Sequence, residues 1–255
     1  MRSKRMEDIS TYIYEQKMVT LDKLCQKFGV SKNTIRRDIN ELITYGNFKK
    51  IYGGVTVSPI KKLVSFDERE VRKWSAKQRI SAKAAELVED GDIIFIDSGT
   101  TTSHMIDHIK DRKNLTVITN NLEIIIRAIP YENINLISLS GTLNRKTLSF
   151  TGGSAVNVLC GYNISKAFIA ATGISVISGA SNSSAPEYEI KLTAVQRSRL
   201  VYLLADCSKF NVISLMTYCT LAEIDTLITD EEPPAEFAEI FAENRHNILV
   251  TSETR

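Results

Sequence analysis

The stretch that decides the fold spans residues 30–40 and reads Val30-Ser31-Lys32-Asn33-Thr34-Ile35-Arg36-Arg37-Asp38-Ile39-Asn40. Ser31 precedes a helical pattern, and its hydroxyl can accept an otherwise unpaired N–H of the first turn. Ile35 and Ile39 recur at helical spacing with Leu42, which predicts one buried stripe. The polar side chains outside that stripe are suited to phosphate oxygens and to base edges in the major groove of DNA. The pattern therefore predicts the recognition helix of a helix-turn-helix.

The flanking sequence predicts the rest of a winged helix-turn-helix. Gly29 and Val30 form a turn between two short amphipathic helices, which is the defining feature of the motif. Residues 48–57 partly alternate polar and apolar side chains around Gly53-Gly54, which predicts a two-stranded wing. We expect the helix and the wing to contact DNA through Ser31, Lys32, Asn33, Thr34, Arg36, Arg37, Asn40, Lys49 and Lys50. A small helical packing module with a solvated basic face is the alternative.

Charge divides the chain into two parts. Residues 1–57 carry 11 Lys+Arg and 6 Asp+Glu, a net charge of +5, and the remainder carries 21 and 24, a net charge of −3. A basic end on a nearly neutral chain is the electrostatic footprint expected of a DNA-binding domain.

Composition limits the classes of protein that fit the sequence. With 255 residues, 43% of them hydrophobic, the chain can hold one sizeable core and a small domain. No apolar run approaches a membrane span, and residues 1–5 lack a signal-peptide pattern, so we expect a cytoplasmic protein. The four cysteines are scattered, which favours reduced thiols. His104 and His108 have no third ligand nearby in the sequence, so neither a metal nor a cofactor is predicted.

The remainder of the chain predicts an α/β domain. Residues 58–75 form a charged connector, and beyond it short apolar runs alternate with helical patterns. Buried strands alternating with helices favour a mostly parallel sheet covered on both faces. The predicted organisation is a winged helix-turn-helix at 1–57, a connector at 58–75 and a doubly wound α/β effector domain at 76–255. The predicted strands are 93–97, 115–119, 134–139, 167–171, 200–206, 226–229 and 248–251.

Polar residues follow several of these strands. The first strand ends in Asp97-Ser98-Gly99-Thr100-Thr101-Thr102, a turn of hydroxyl residues before a predicted helix, which suits an anion. In an open parallel sheet, ligands bind outside the carboxyl ends of the strands. We expect residues 98–102 and Lys209 to hold a phosphate, with Gly99 allowing close backbone approach and a positive φ. The predicted effector site is Asp97, Ser98, Gly99, Thr100, Thr101, Thr102, Asn120, Gly141, Thr172, Gly173, Lys191 and Lys209. The alternative is that the Ser and Thr residues only cap helices.

Both parts of the sequence resemble the DeoR family of bacterial transcriptional regulators, over about residues 5–210. The resemblance is carried by V-S-x-x-T-I-R-R-D-I-x-x-L from Val30 and by Tyr52-Gly53-Gly54-Val55. In the second part it is carried by residues 97–102, Thr119-Asn120 and residues 205–210. It implies a winged helix-turn-helix joined to a domain similar to sugar-phosphate isomerases. It also implies a cytoplasmic repressor of a sugar-utilisation operon, released from DNA by a phosphorylated intermediate. Residues 22–55 look most like repressors of myo-inositol catabolism within the family.

Two other classes of protein remain as alternatives to a regulator: an enzyme and a structural nucleoid protein. A sugar-phosphate isomerase could draw its acid, its base and its phosphate clamp from Asp97, Glu187, Lys191, Asp206 and Lys209. Glu187 and Lys191 are also four apart on a helix, and we favour an ordinary surface pair for them. An isomerase has no need of a basic helix-turn-helix, so sensing is favoured over turnover. A structural nucleoid protein would have little need of the polar residues predicted for the effector site.

The sequence also predicts self-association. A single helix-turn-helix of this size contacts few bases, and two-fold partners commonly bind half-sites about 34 Å apart. We therefore expect a homodimer or a homotetramer on double-stranded operator DNA.

Overall fold

The computed structural model describes residues 2–44, 48–57 and 64–251. The N-terminal unit contains helices α1 (Arg2–Gln16), α2 (Leu21–Phe28) and α3 (Lys32–Thr44). Their apolar stripes form one core, in which Ile9, Ile35 and Ile39 are fully buried. The N–H of Thr34 donates to Ser31 Oγ at 3.2 Å, so Ser31 caps α3 as predicted. The helix-turn-helix predicted from the sequence is confirmed.

The wing has three strands, where the sequence predicted two. Strands β2 (Phe48–Ile51) and β3 (Gly54–Val57) form the predicted hairpin, and β1 (Met18–Thr20) adds to the outer edge of β3. A Cβ on Gly54 would lie 2.5 Å from the carbonyl oxygen of Val19, so this close pairing requires glycine. β1 is only three residues long, and so short a strand leaves no periodic pattern to recognise.

The C-terminal unit is built on a seven-stranded parallel sheet. Its strands are β4 (Ile93–Ile96), β5 (Leu115–Thr119), β6 (Ile134–Ser138), β9 (Ile164–Ala170), β12 (Ser198–Leu204), β14 (Thr226–Thr229) and β15 (Asn247–Val250). Their spatial order is β15-β14-β12-β9-β4-β5-β6, and every pairing is parallel. The chain moves outward from β4 in both directions, so the topological switch point lies between β4 and β9.

Helices cover both faces of this sheet. Along β4, Phe95 packs into one core cluster and its neighbours Ile94 and Ile96 pack into the other. Because successive side chains of a strand alternate between faces, two separate cores form. The helices are α5 (Trp74–Ala85), α6 (Met105–His108), α7 (Leu122–Ala128), α8 (Gly153–Cys160), α9 (Ala185–Arg197) and α10 (Ala235–Glu243). All seven predicted strands and the doubly wound architecture are confirmed.

Smaller elements surround the sheet, and the sequence did not predict them. They are helix α4 (Phe66–Glu70), the hairpin β7 (Thr142–Asn144) and β8 (Ser149–Thr151), and an antiparallel sheet of β10 (Gly173–Ser175), β11 (Gly179–Asn182) and β13 (Met216–Cys219). α4 lies in the predicted connector, yet Phe66 is buried and its N–H donates to the carbonyl oxygen of Lys146 at 2.8 Å. This part of the connector therefore packs on the C-terminal unit, while residues 58–63 lie outside the described residues. Within the described chain, no helix has both the length and the apolar character needed to cross a bilayer.

Candidate functional site

Helix α3 presents a polar face to solvent. Asn33, Arg36, Arg37 and Asn40 are all exposed, while the isoleucines of the same helix are buried. Lys32 is also exposed and contacts Asp22 at 2.6 Å, an exposed pair that contributes little energy. On the wing, Lys49 and Lys50 are exposed on β2. The cationic and amide side chains predicted to contact DNA therefore lie exposed on one helix and one strand.

Three polar residues of the helix-turn-helix, Ser31, Thr34 and Asp38, make contacts that stabilise its fold. Ser31 Oγ and Thr34 Oγ1 lie 2.9 Å apart, so both hydroxyls take part in the cap of α3. Asp38 is buried and accepts from Arg5 Nε at 2.9 Å, which fixes α1 to the recognition helix. This ion pair raises the pKa of the Arg5 guanidinium, chiefly through the hydrogen bond to Asp38. The role of Asp38 was not predicted, because its partner lies 33 residues away in sequence.

A cavity of about 220 Å³ lies at the carboxyl ends of β4 and β9, which is the switch point of the sheet. The loops that follow these two strands, residues 98–101 and 171–172, form part of its wall. The remaining lining residues are Val64, Arg69, Arg72, Lys73, Lys77, Thr147, Ala170, Asn182, Ser183, Glu187, Lys191, Asp206, Ser208 and Lys209.

The cavity brings together seven of the twelve residues predicted for the effector site. They are Ser98, Gly99, Thr100, Thr101, Thr172, Lys191 and Lys209. Asn120, Gly141 and Gly173 lie outside the lining. Gly173 belongs to β10, where a Cβ would lie 2.3 Å from the carbonyl oxygen of Val212, and a Cβ on Gly141 would lie 2.4 Å from that of Thr151. These two glycines are therefore explained by close backbone packing.

The two other predicted residues, Asp97 and Thr102, stand behind the cavity wall. Asp97 is 1% exposed, and its Oδ1 accepts from the N–H of Gly99 at 3.0 Å and from Thr102 Oγ1 at 2.5 Å. Its Oδ2 accepts from the N–H of Ala170 at 2.9 Å and from Lys191 Nζ. One carboxylate thus fixes the loop after β4, the end of β9 and helix α9. Both carboxylate oxygens of Asp97 already accept hydrogen bonds from the chain. We therefore assign Asp97 the role of positioning the loop, and not of contacting a ligand.

Glu187 and Lys191 do not form a surface pair, so that prediction was wrong. Glu187 is 7% exposed and Lys191 is 5% exposed. Glu187 Oε1 accepts from Ser98 Oγ at 3.1 Å and from Ser149 Oγ at 2.7 Å, while Lys191 pairs with Asp97. Helix spacing alone could not reveal these partners, because each lies at least 38 residues away in sequence.

Four cationic residues of the cavity were missed by sequence reasoning. Arg69, Arg72 and Lys73 come from the segment assigned to the connector, and Lys77 comes from the first turn of α5. The signal was present as a run of charges at residues 61–73, but a charged segment after Ser58-Pro59 is also typical of a linker. With Lys191 and Lys209, these residues give the described wall of the cavity six cationic side chains against two carboxylates.

Two of these cations are held in a poorly solvated environment. Burial lowers the pKa of the Arg69 guanidinium, and among the described residues its Nε and Nη2 have no hydrogen-bond partner. Burial also lowers the pKa of Lys77 to about 8, and its ammonium donates to the carbonyl oxygens of Arg69 and Glu70. The positive charges of Lys209 and Arg69 lower this pKa further, against the opposing effect of Glu70. Crowded cations of this kind favour an anion between them.

The loop at residues 98–101 differs from the prediction in two respects. The helix that follows it is short, a 3₁₀ turn at Thr102–His104 and then the four residues of α6, so its dipole adds little. Gly99 does not have a positive φ. It is required instead because a Cβ would lie 2.5 Å from the Cβ of Ala170 and 2.9 Å from Asp97 Oδ1.

Gly99→Ala is therefore expected to distort the loop. Overpacking of this kind typically costs about 1–3 kcal/mol of unfolding free energy. We expect weaker binding of inorganic phosphate together with unchanged binding to DNA, measured by calorimetry and by fluorescence anisotropy. Gly153→Ala is the matched control, because a Cβ there meets nothing within 4 Å. Equal phosphate binding by the two variants would contradict the role given to the loop.

Comparison with known proteins gives two family matches. Residues 5–60 match the DeoR-like helix-turn-helix domain, and residues 72–231 match the DeoR C terminal sensor domain. The HTH-type transcriptional regulator IolR of Bacillus subtilis (strain 168) is 42% identical over 248 residues, 97% of this chain and 98% of that protein. The glycerol-3-phosphate regulon repressor of Escherichia coli (strain K12) is 25% identical over 95% of this chain and 96% of its own. A ribose 5-phosphate isomerase A structure from Methanocaldococcus jannaschii, at 20% identity, covers 52% of this chain and 53% of its own with a TM-score of 0.39, too distant to support an inference about activity.

Proposed function

The chain belongs to the DeoR family of transcriptional regulators, and from that premise we propose that it is a repressor of a sugar or polyol catabolic operon, released from DNA by a phosphorylated effector. It is a DNA-binding regulator with a helix-turn-helix domain and a sensor domain. An inositol-derived phosphate is the narrower proposal, since residues 22–55 resemble repressors of myo-inositol catabolism.

The observation that carries the effector proposal is the charge of the cavity. Six cationic side chains against two carboxylates leave an excess of positive charge in a partly buried space. Lys191 is paired with Asp97, and Lys209 Nζ lies 3.9 Å from Asp206 Oδ2, while Arg69 and Lys77 line the same cavity as the loop at residues 98–101. A phosphate group would offset this charge and accept hydrogen bonds from the backbone and hydroxyls of that loop.

An enzymatic role has less support. Of the five groups considered for acid, base and phosphate clamp, Asp97, Glu187 and Lys191 are buried. Asp97 is paired with Lys191, and Glu187 accepts a hydrogen bond from Ser98 Oγ. The relatives reported above are named as a regulator and a repressor. We therefore propose binding without turnover.

Effector binding is proposed to act on DNA affinity through the connector. Arg69 and Lys73 line the cavity and lie just after residues 58–63, which join the two units. The neighbouring Glu70 contacts the ring of buried His104 at 2.8 Å, three residues beyond the loop at 98–101. An anion in the cavity would thus contact both the loop and the connector. For the effector to release the protein from DNA, it must bind more tightly to the protein arrangement that fits operator DNA poorly than to the one that fits it well.

The experiment that tests the function compares phosphorylated and unphosphorylated ligands on the full chain. DNA fragments enriched by the protein from random duplexes supply the operator, and hexose and inositol phosphates are titrated against the complex at constant ionic strength. We expect phosphorylated compounds to dissociate the complex and their unphosphorylated forms to have no effect. Lys209→Ala should keep DNA affinity and weaken this response. Equal effects of the two forms would refute the phosphate proposal and leave DNA binding intact.

Anion binding is expected to depend on pH through Lys77. Its ammonium is charged below about pH 8, and a bound anion stabilises that charged form, so binding is coupled to proton uptake. The affinity for sulfate, whose own charge does not change in this range, should therefore fall as the pH rises through about 8. Lys77→Gln should remove this dependence. Lys83→Gln, which removes a charge paired with Glu86 elsewhere on α5, should retain it. A flat profile in the wild type would contradict the assignment.

Assembly into a homodimer or homotetramer is part of the same proposal. It is supported by the small DNA-contacting surface that one α3 helix offers. Light scattering at the concentrations at which the protein binds DNA measures it directly.

A further inference from the structure

The wall of the cavity contains a buried amide, Asn182, that no part of the phosphate proposal uses. Asn182 is the last residue of β11 and is 2% exposed. Ser183 follows it in the cavity wall, and Ser184 is the N-cap residue of α9. The inference below rests on the proposed function, because it concerns the non-phosphate part of the same effector.

The orientation of this amide is fixed by its surroundings. Asn182 Nδ2 donates to the carbonyl oxygen of Ser184 at 2.9 Å. A carbonyl oxygen can only accept, so the nitrogen must face Ser184 and the oxygen must face the other way. Among the described residues, Asn182 Oδ1 has no hydrogen-bond partner. A buried acceptor without a donor is unfavourable, which makes this oxygen a site for a donor from outside the chain.

We propose that Asn182 Oδ1 accepts a hydrogen bond from a hydroxyl of the effector, and that Asn182 thereby selects polyhydroxylated phosphates over other phosphates. The oxygen is covered by the surrounding chain, so the hydroxyl reaches it through a small side-chain adjustment of the wall, which is common on binding. A hydroxyl is the fitting donor, because the cationic side chains of the same cavity are available for the phosphate. Asn120 also has an unpaired buried Oδ1, but it does not line the cavity, so the proposal does not extend to it.

The test compares phosphates of similar length with and without hydroxyls, using calorimetry on the full chain. The hydroxylated probes are D-glucose 6-phosphate, D-fructose 6-phosphate and D-glucitol 6-phosphate, and the reference probe is hexyl phosphate. We expect at least one hydroxylated probe to bind the wild type about tenfold or more tightly than hexyl phosphate. If none of the three does so while hexyl phosphate and inorganic phosphate bind, the inference fails and the phosphate site stands. If no phosphate binds, the proposed function itself fails.

The variant Asn182→Leu removes the acceptor at similar volume, and it also removes the Nδ2 donor to the carbonyl oxygen of Ser184. It should lower the affinity for the preferred hydroxylated probe about tenfold, and binding of hexyl phosphate should stay unchanged, which also shows that the cavity is intact. Asn163→Leu, at an exposed position on the opposite end of the sheet, is the matched control. If Asn182→Leu also loses hexyl phosphate, the smaller Asn182→Ala replaces it. The inference would be overturned if a variant that still binds hexyl phosphate also kept the wild-type preference for the hydroxylated probe over hexyl phosphate.

Discussion

Asp97→Ala is expected to lower the unfolding free energy of the C-terminal unit by about 3–5 kcal/mol, the usual result of removing one partner of a buried ion pair. The substitution leaves the ammonium of Lys191, 5% exposed, without its carboxylate. It also removes the acceptor for the N–H groups of Gly99 and Ala170. The measurement is urea unfolding followed by circular dichroism.

Asp107→Ala is the control for this prediction. Asp107 pairs with Arg127 at 3.0 Å, but its side chain is 42% exposed, and exposed pairs contribute about 0–1 kcal/mol. The double variant Asp97→Ala/Lys191→Met should recover part of the lost stability, because it removes the unpaired charge. A loss at Asp97 no larger than that at Asp107 would show that the buried pair does not hold the loop.

Arg36→Ala and Arg37→Ala are expected to weaken binding to specific DNA without unfolding the protein. Both side chains are exposed on α3, so the apolar core of the helix-turn-helix stays intact. An arginine that contacts a base edge typically contributes about 1–3 kcal/mol, which is about five- to 150-fold in affinity. An arginine that contacts only phosphate should instead lower the salt dependence by about one unit.

Anisotropy titrations at several salt concentrations, on selected and on random DNA, separate the two roles. Arg145→Ala is the matched control, because it removes the same charge at an exposed position between β7 and β8. Unchanged affinity in both Arg36→Ala and Arg37→Ala would refute the assignment of α3 as the recognition helix.

The sequence by itself determined the helix-turn-helix, the strands of the parallel sheet and the class of protein. Ser31, the isoleucines at 35 and 39 and the turn at Gly29 encode a helix locally, because capping, periodicity and turn chemistry act over a few residues. The same reasoning found the seven strands of the parallel sheet, since buried strands leave apolar runs bounded by polar tails. The position of the cavity followed too, because ligand sites of such sheets lie at the carboxyl ends of their strands.

The tertiary structure alone decided which side chains meet. Lys191 pairs with Asp97 across 94 residues, and Arg69 reaches the cavity from a segment whose charges are typical of a linker. β1 joins the wing only because Gly54 allows the approach of Val19. Such partners depend on how whole elements pack, and no local pattern contains that information. The periodicity that gives a helix its buried face does not say what that face will contact.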